Sequence, residues 1–290
     1  MSHLSQEIAT QPECWRRAAA LAASPDLPRP GERVAVIGCG TSYYMAMAYI
    51  ALRERAGLGE TDAWPASEFP AGRRYDRVVA LSRSGTTTEV LDLLSRVGSP
   101  SVAITADPAA PIARVAGAVI ACEFADEASV VQTRFATTAL VLLRAHLGED
   151  TAALPDAARR ALAAPLPAAE QITFLGTGWT VGLAHEAALK LREAAGFWTE
   201  SYPAMEYRHG PIAVAAPGRL VWIFGVPPAG LVDQIRATGA EVTTSPEDPL
   251  ADLVRVHRLA ESLAVERGLD PDHPRHLTRS VLLEQGNRGT

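Results

Sequence analysis

Two short apolar runs constrain this chain more than any other feature. Val34-Ala35-Val36-Ile37 and Ile172-Thr173-Phe174-Leu175 each end in Gly-x-Gly, as Gly38-Cys39-Gly40 and Gly176-Thr177-Gly178. A run this short is below helix length and suits a strand buried on both faces, as in a parallel sheet. The glycines mark a sharp turn, and helical sequence follows each time. The repetition predicts two similar α/β units in tandem. Further apolar runs at 77–81, 101–105 and 118–122 alternate with helical stretches at 42–55, 89–97 and 133–147. That alternation predicts a doubly wound parallel sheet. In the second unit, 221–226 and 239–244 read as strands and 183–196 as a helix, and its later strands are not placed. A helix is expected over 5–24, stopped by Pro25, Pro28, Pro30 and Gly31. The resulting division is an N-terminal helical segment (1–30), a first unit (31–150), a helical linker (152–167), a second unit (165–270) and a tail (271–290).

Composition bounds the function. Formal net charge is −6, from 27 basic and 33 acidic residues, so neither nucleic acid nor an anionic membrane is an expected partner. A small phosphate ligand stays open, because backbone N–H groups bind it without a basic surface. Cys14, Cys39 and Cys122 are odd in number and fit no disulfide or metal spacing, which predicts reduced thiols in a cytoplasmic protein. The start, MSHLSQEIATQPECW, has no signal-peptide pattern. No apolar run nears the roughly 20 residues a membrane helix needs.

Ligands of open α/β sheets bind at the carboxyl ends of the strands. Two segments lie there in the first unit: Gly38-Cys39-Gly40-Thr41-Ser42 and Ser82-Arg83-Ser84-Gly85-Thr86-Thr87-Thr88. Small hydroxyl residues let backbone N–H groups approach an anion, and their own O–H groups donate to it. A helix start adds positive partial charge. Ordinary capping is the plainer explanation, and Thr86 with Glu89 fits a capping box. Five hydroxyls in this one loop exceed what capping uses, which favours phosphate. Tyr43 interrupts Gly-x-Gly-x-x-Gly, so no nicotinamide cofactor is expected. The scattered histidines, with His273 and His276 three apart, predict no metal and hence no cofactor.

These motifs, in order with His-Glu-Ala-Ala-Leu-Lys-Leu-Arg-Glu at 185–193, Glu-Tyr-Arg-His-Gly-Pro at 206–211 and Asp-Pro-Asp-His-Pro-Arg-His-Leu-Thr-Arg-Ser-Val at 270–281, resemble the sugar isomerase (SIS) family. The likeness runs from about 34 to 283 and is nearest to the tandem isomerase half of glucosamine-6-phosphate synthase and to stand-alone amino-sugar-phosphate deaminases. It implies two three-layer αβα sandwiches, with phosphate contacts at Thr41, Ser42, Ser82, Ser84 and Thr87. Where the synthase carries Gln in the loop, this chain has Arg83, expected beside the phosphate or turned to solvent. Val130 and Thr133 match a stretch lining the sugar pocket. The chain begins Met1-Ser2 without the synthase's terminal cysteine nucleophile, which disfavours synthesis from glutamine.

Glu186, Lys190 and Glu193 are spaced four and three apart and so share one helical face. Taken alone this is most simply a surface ion-pair ladder, worth little, but the flanking Ala and Leu residues allow an inward face. The resemblance makes Glu193 the base moving a proton between sugar carbons 1 and 2. It makes Lys190 the cation at the oxygen gaining charge, with Glu186 beside the substrate. His209 matches the histidine that opens the sugar ring, reaching into a partner subunit's site in the synthase, with Glu206 as an orienting candidate. That implies a homodimer. Arg279 stands where the family has its Schiff-base lysine. An arginine stays protonated and is a poor nucleophile, so it is left to pair with a substrate oxygen or the phosphate. The expected activity is on glucosamine 6-phosphate or N-acetylglucosamine 6-phosphate, by deamination with isomerisation or by dehydration. A sugar-phosphate sensor and a plain aldose–ketose isomerase are the alternatives.

Overall fold

The computed structural model describes residues 2–283. Two short helices, α1 (His3–Ala9) and α2 (Gln11–Ala18), open the chain, followed by a 3-10 turn over Ala19–Leu21. The single helix expected over 5–24 is therefore divided. Thr10 ends α1 and begins α2, and Pro12 sits in the first turn of α2, where its missing N–H costs nothing.

The first sheet follows. β1 (Val34–Gly38) leads to α3 (Thr41–Arg55), β2 (Thr61–Pro65), β3 (Arg77–Leu81), α4 (Thr88–Leu94), β4 (Ser101–Thr105), α5 (Ile112–Val115) and β5 (Ala118–Ala121). The strands are parallel in the order β2-β1-β3-β4-β5. α6 (Arg134–His146) and α7 (Leu154–Ala163) come next. α7 packs on α2, so the stretch read as a linker is an integral helix.

The second sheet repeats the plan with β6 (Gln171–Gly176), α8 (Thr180–Ala195), β7 (Thr199–Pro203), β8 (Arg219–Ile223), α9 (Leu231–Arg236), β9 (Glu241–Thr243) and α10 (Pro249–Glu266). Its order is β7-β6-β8-β9, again parallel. The doubly wound expectation holds for both sheets. β1 and β6 lie at equivalent places, and every residue of each is buried.

The Gly-x-Gly turns have one cause in both halves. A Cβ on Gly38 would lie 2.8 Å from Ser42, and one on Gly176 would lie 2.2 Å from the Thr180 carbonyl oxygen, so strand and following helix meet too closely for any side chain. The second glycines, Gly40 and Gly178, have φ of 53° and 58°, the left-handed region that glycine enters without steric cost.

α3 and α8, the helices that follow these turns, pack against each other. At Gly182 a Cβ would stand 2.4 Å from the Tyr44 carbonyl oxygen, so the backbones touch. One apolar core, including Met45, Tyr49, Leu140, Leu183, Leu191 and Leu253, runs across both halves. Among the described residues no helix is long and apolar enough to cross a membrane.

Candidate active site

The site grows from the α3–α8 contact. The wide apolar face of α8, built on Leu183, Ala184, Ala187, Ala188 and Leu191, buries the helix. Glu186 and Lys190 are each 1% exposed and are carried inward with it. Ion pairs link Lys190 to both acids: Nζ is 3.5 Å from Glu186 Oε1 and donates a short hydrogen bond to Glu193 Oε2. It also donates to Thr41 Oγ1 of the first half at 2.8 Å. The spacing is thus no surface ladder.

Electrostatics separates the three groups. Burial pushes the Glu186 carboxyl up to about 8 against the opposing pull of Lys190, and among the described residues neither of its oxygens accepts a hydrogen bond of good geometry. For Lys190, burial acts to lower the pKa, but Glu186 and Glu193 outweigh it and hold the ammonium above its ordinary value. Glu193 is the member of the trio that reaches a surface pocket. That pocket lies between the end of α8 and the tail and is bordered by Arg192, His273, Arg275 and His276. His276 has φ of 65°, the one non-glycine residue in the left-handed region among the described residues.

Thr41 and Ser42 form the first turn of α3, and Ser82, Ser84 and Thr87 follow β3, all at the carboxyl ends of adjacent strands. The hydroxyls of Ser42, Ser82 and Thr87 donate to no protein acceptor among the described residues. Ser84 Oγ accepts from Thr86 N–H and Oγ1, at 3.3 and 3.0 Å. The capping box at Thr86 and Glu89 does not form: Thr87 is the cap residue, and its side chain makes no capping bond.

Arg83 departs from both expectations. It is 1% exposed and turns away from the loop mouth into the protein. Nη1 donates to the Ser129 carbonyl at 2.9 Å, Nη2 donates to the carbonyls of Val130 and Arg279 at 3.2 and 3.0 Å, and Glu127 lies 3.7 Å away. The guanidinium binds carbonyls in the fork geometry it would otherwise give an anion. Thr133 is held by Glu127, whose Oε1 accepts from its N–H at 2.6 Å and its hydroxyl at 3.0 Å. Arg279 pairs with Asp126 and donates to the Glu127 carbonyl, so its guanidinium is engaged by protein. Sequence reasoning missed Glu127, Asp126 and Glu7. Nothing in their local sequence sets them apart from surface acids.

His209 ends a 3-10 turn, Glu206–His209, after β7, and is exposed. Among the described residues its side chain makes no hydrogen bond, to Glu206 or to the Lys190 group. The structure therefore joins Thr41, Glu186, Lys190 and Glu193, and His209 takes no part in their hydrogen bonds. No group of three or more His, Cys, Asp or Glu placed to hold a metal occurs among the described residues.

No protein-family model matches the chain. The isomerizing glutamine–fructose-6-phosphate aminotransferase of Methanothermobacter thermautotrophicus is 30% identical over 308 residues, covering 87% of this chain and 52% of the relative. The chain spans about half the length of the curated relatives it matches. Among solved structures, a glucosamine-6-phosphate deaminase from Thermotoga maritima has a TM-score of 0.78 at 25% identity, covering 97% of this chain and 100% of that one. The C-terminal domain of glucosamine-fructose-6-phosphate aminotransferase from Francisella tularensis has a TM-score of 0.80 at 20% identity, over 94% and 98%. The last is a likeness of fold.

Proposed function

Since the chain is a SIS-domain protein, similar to phosphosugar isomerases and deaminases, we propose that it is an enzyme acting on an amino-sugar 6-phosphate through proton transfer at carbon 2. The observation that carries this reading is Lys190, buried between two carboxylates on α8 and hydrogen-bonded to Thr41 beside the hydroxyl loops. A charged group so deep is costly unless its partners are fixed. Here it ties the acid–base groups of one half to the phosphate-type loops of the other.

In this reading Ser42, Ser82, Ser84 and Thr87 hold the phosphate. Glu193 takes the carbon-2 proton of the open-chain sugar, and Lys190 stabilises the negative charge that develops on the carbon-1 oxygen. Returning the proton at carbon 1 leaves an imine at carbon 2. Water hydrolyses it, giving a ketose phosphate and ammonia. With an acylated nitrogen, the same carbanion expels the carbon-3 hydroxyl as water. Neither route needs a protein–sugar imine, which agrees with Arg279 being an arginine engaged by Asp126. His209, exposed and outside the hydrogen bonds of the Lys190 group, acts in the site of a second copy, so the working form is a homodimer.

The test is to incubate the protein with glucosamine 6-phosphate and, separately, its N-acetyl form, and to record product masses and free ammonia. Ammonia with a ketose phosphate identifies the deaminase. A product lighter by one water, acetyl group retained, identifies the dehydratase. No turnover of either sugar overturns the amino-sugar reading, and binding without turnover makes the chain a sensor.

A further inference from the structure

One loop, residues 126–131, is tied to three distant parts of the chain. Glu7 of α1 accepts from the N–H groups of Ala128 and Ser129 and from the Ser129 hydroxyl. Val130 N–H donates to the Asp272 carbonyl at the start of the tail, at 3.1 Å. Arg83 supplies the third tie, from the hydroxyl loop, and the same guanidinium also holds the Arg279 carbonyl. Beyond Arg279 the tail lies directly on the hydroxyl loop. The hydroxyls of Thr86 and Ser280 share a hydrogen bond of 2.9 Å, Thr88 N–H donates to the Val281 carbonyl at 3.2 Å, and Leu283 N–H to Thr88 Oγ1 at 3.0 Å.

We propose that Arg83 is a positioning residue that seats the tail, residues 279–283, on the hydroxyl loop, so that the loop and the segment lying over it are held as one unit. The inference rests on reading 82–88 as a phosphate loop. A guanidinium carries five donors in a fixed fork. At this position it spans carbonyls of two separate segments, which the shorter neutral side chain of glutamine cannot reach together. Its burial is tolerated because those carbonyls and Glu127 surround the charge. Arg279 reinforces the seat from the tail side, through Asp126 and the Glu127 carbonyl.

Amide hydrogen exchange on the full chain tests this, comparing the unaltered protein with Arg83→Gln, Arg83→Lys and Asp126→Asn, each with and without inorganic phosphate. In Arg83→Gln, protection at 86–88 and 279–283 falls together by about tenfold or more, the scale of one lost hydrogen bond to a charged group. Protection in β1 and β6 stays unchanged, and Arg83→Lys restores part of the loss. Asp126→Asn, at a half-exposed side chain, lowers protection of the tail alone and by less. Unchanged tail protection in Arg83→Gln overturns the proposal, as does an equal loss throughout the first sheet, which would make Arg83 a core residue only. If Arg83→Gln does not fold, unchanged tail protection in Asp126→Asn overturns it. Phosphate that leaves 86–88 unaffected in the unaltered protein sinks the phosphate-loop reading, while the coupling of Arg83 to the tail is still read without phosphate.

Discussion

The two halves share a strand order, a Gly-x-Gly turn and a helix after it, yet they carry different chemistry. After β3 the chain reads Ser82-Arg83-Ser84-Gly85-Thr86-Thr87-Thr88, and after the equivalent β8 it reads Phe224-Gly225-Val226-Pro227-Pro228-Ala229-Gly230. The second loop has no hydroxyl and two residues without an N–H donor. The helices divide in the opposite sense. α8 buries Glu186 and Lys190 and carries the half-buried Glu193 beside them, while α3 answers with the hydroxyl of Thr41. A common backbone plan thus places a hydroxyl-rich loop on one half and two acids with a lysine on the other, the groups proposed above to bind the phosphate and move the proton, and the α3–α8 contact joins them.

The division can be broken from either side. Glu193→Gln should lower turnover of the amino-sugar phosphate by roughly 10²–10⁴-fold with thermal unfolding unchanged, and retained turnover in steady-state kinetics would remove Glu193 as the base. Ser84→Ala with Thr87→Ala should raise KM on the order of a hundredfold or more and spare kcat, because each hydroxyl bonded to a charged ligand contributes about 1.5–3 kcal/mol. Pro228→Ala in the opposite loop should move neither constant. If it does, the halves are not divided as described.

Smaller effects sharpen the junction. Gly182→Ala should cost about 1–3 kcal/mol in urea unfolding, since its methyl group meets the Tyr44 carbonyl. Gly178→Ala, with open space around it, should cost only the roughly 1–2 kcal/mol of a left-handed alanine. Equal costs would mean that α3 and α8 yield. The smallest effect is on pH. Burial raises the Glu186 carboxyl from 4.5 to about 8, so the native state keeps a proton that the unfolded chain releases. Stability from that group is full below about 4.5 and is lost as pH rises through about 8. In Glu186→Gln the fall in Tm between about pH 5 and pH 8.5 should shrink by a few degrees, and an unchanged fall would place the titration elsewhere.

Legibility in the sequence follows burial. β1, β3, β4 and β6 are buried almost throughout and stand out as apolar runs. β2 and β7 are sheet edges. Their residues, Thr61-Asp62-Ala63-Trp64-Pro65 and Thr199-Glu200-Ser201-Tyr202-Pro203, are mixed in polarity and partly exposed, and no period marks them. α10 is not among the helices expected from the sequence, although Asp248 followed by Pro249 is a helix-start pattern. At the site, the trio on α8 was visible because i, i+3 and i+4 neighbours meet on any helix. The inward turn of Arg83 was not, because its carbonyl partners lie 46, 47 and 196 residues away. Residues 284–290 of the tail lie outside the described structure.

The carboxylate of Asp272 accepts from the first N–H groups of α1, those of His3 and Leu4, at 2.8 and 2.7 Å. The start of the chain is thereby moored to the root of the tail. Mechanically, α1 is an anchor and the tail is the line made fast to it. A load applied at the first residues, by a fused domain or a tethered surface, is delivered through Asp272 to the segment that lies over the hydroxyl loop.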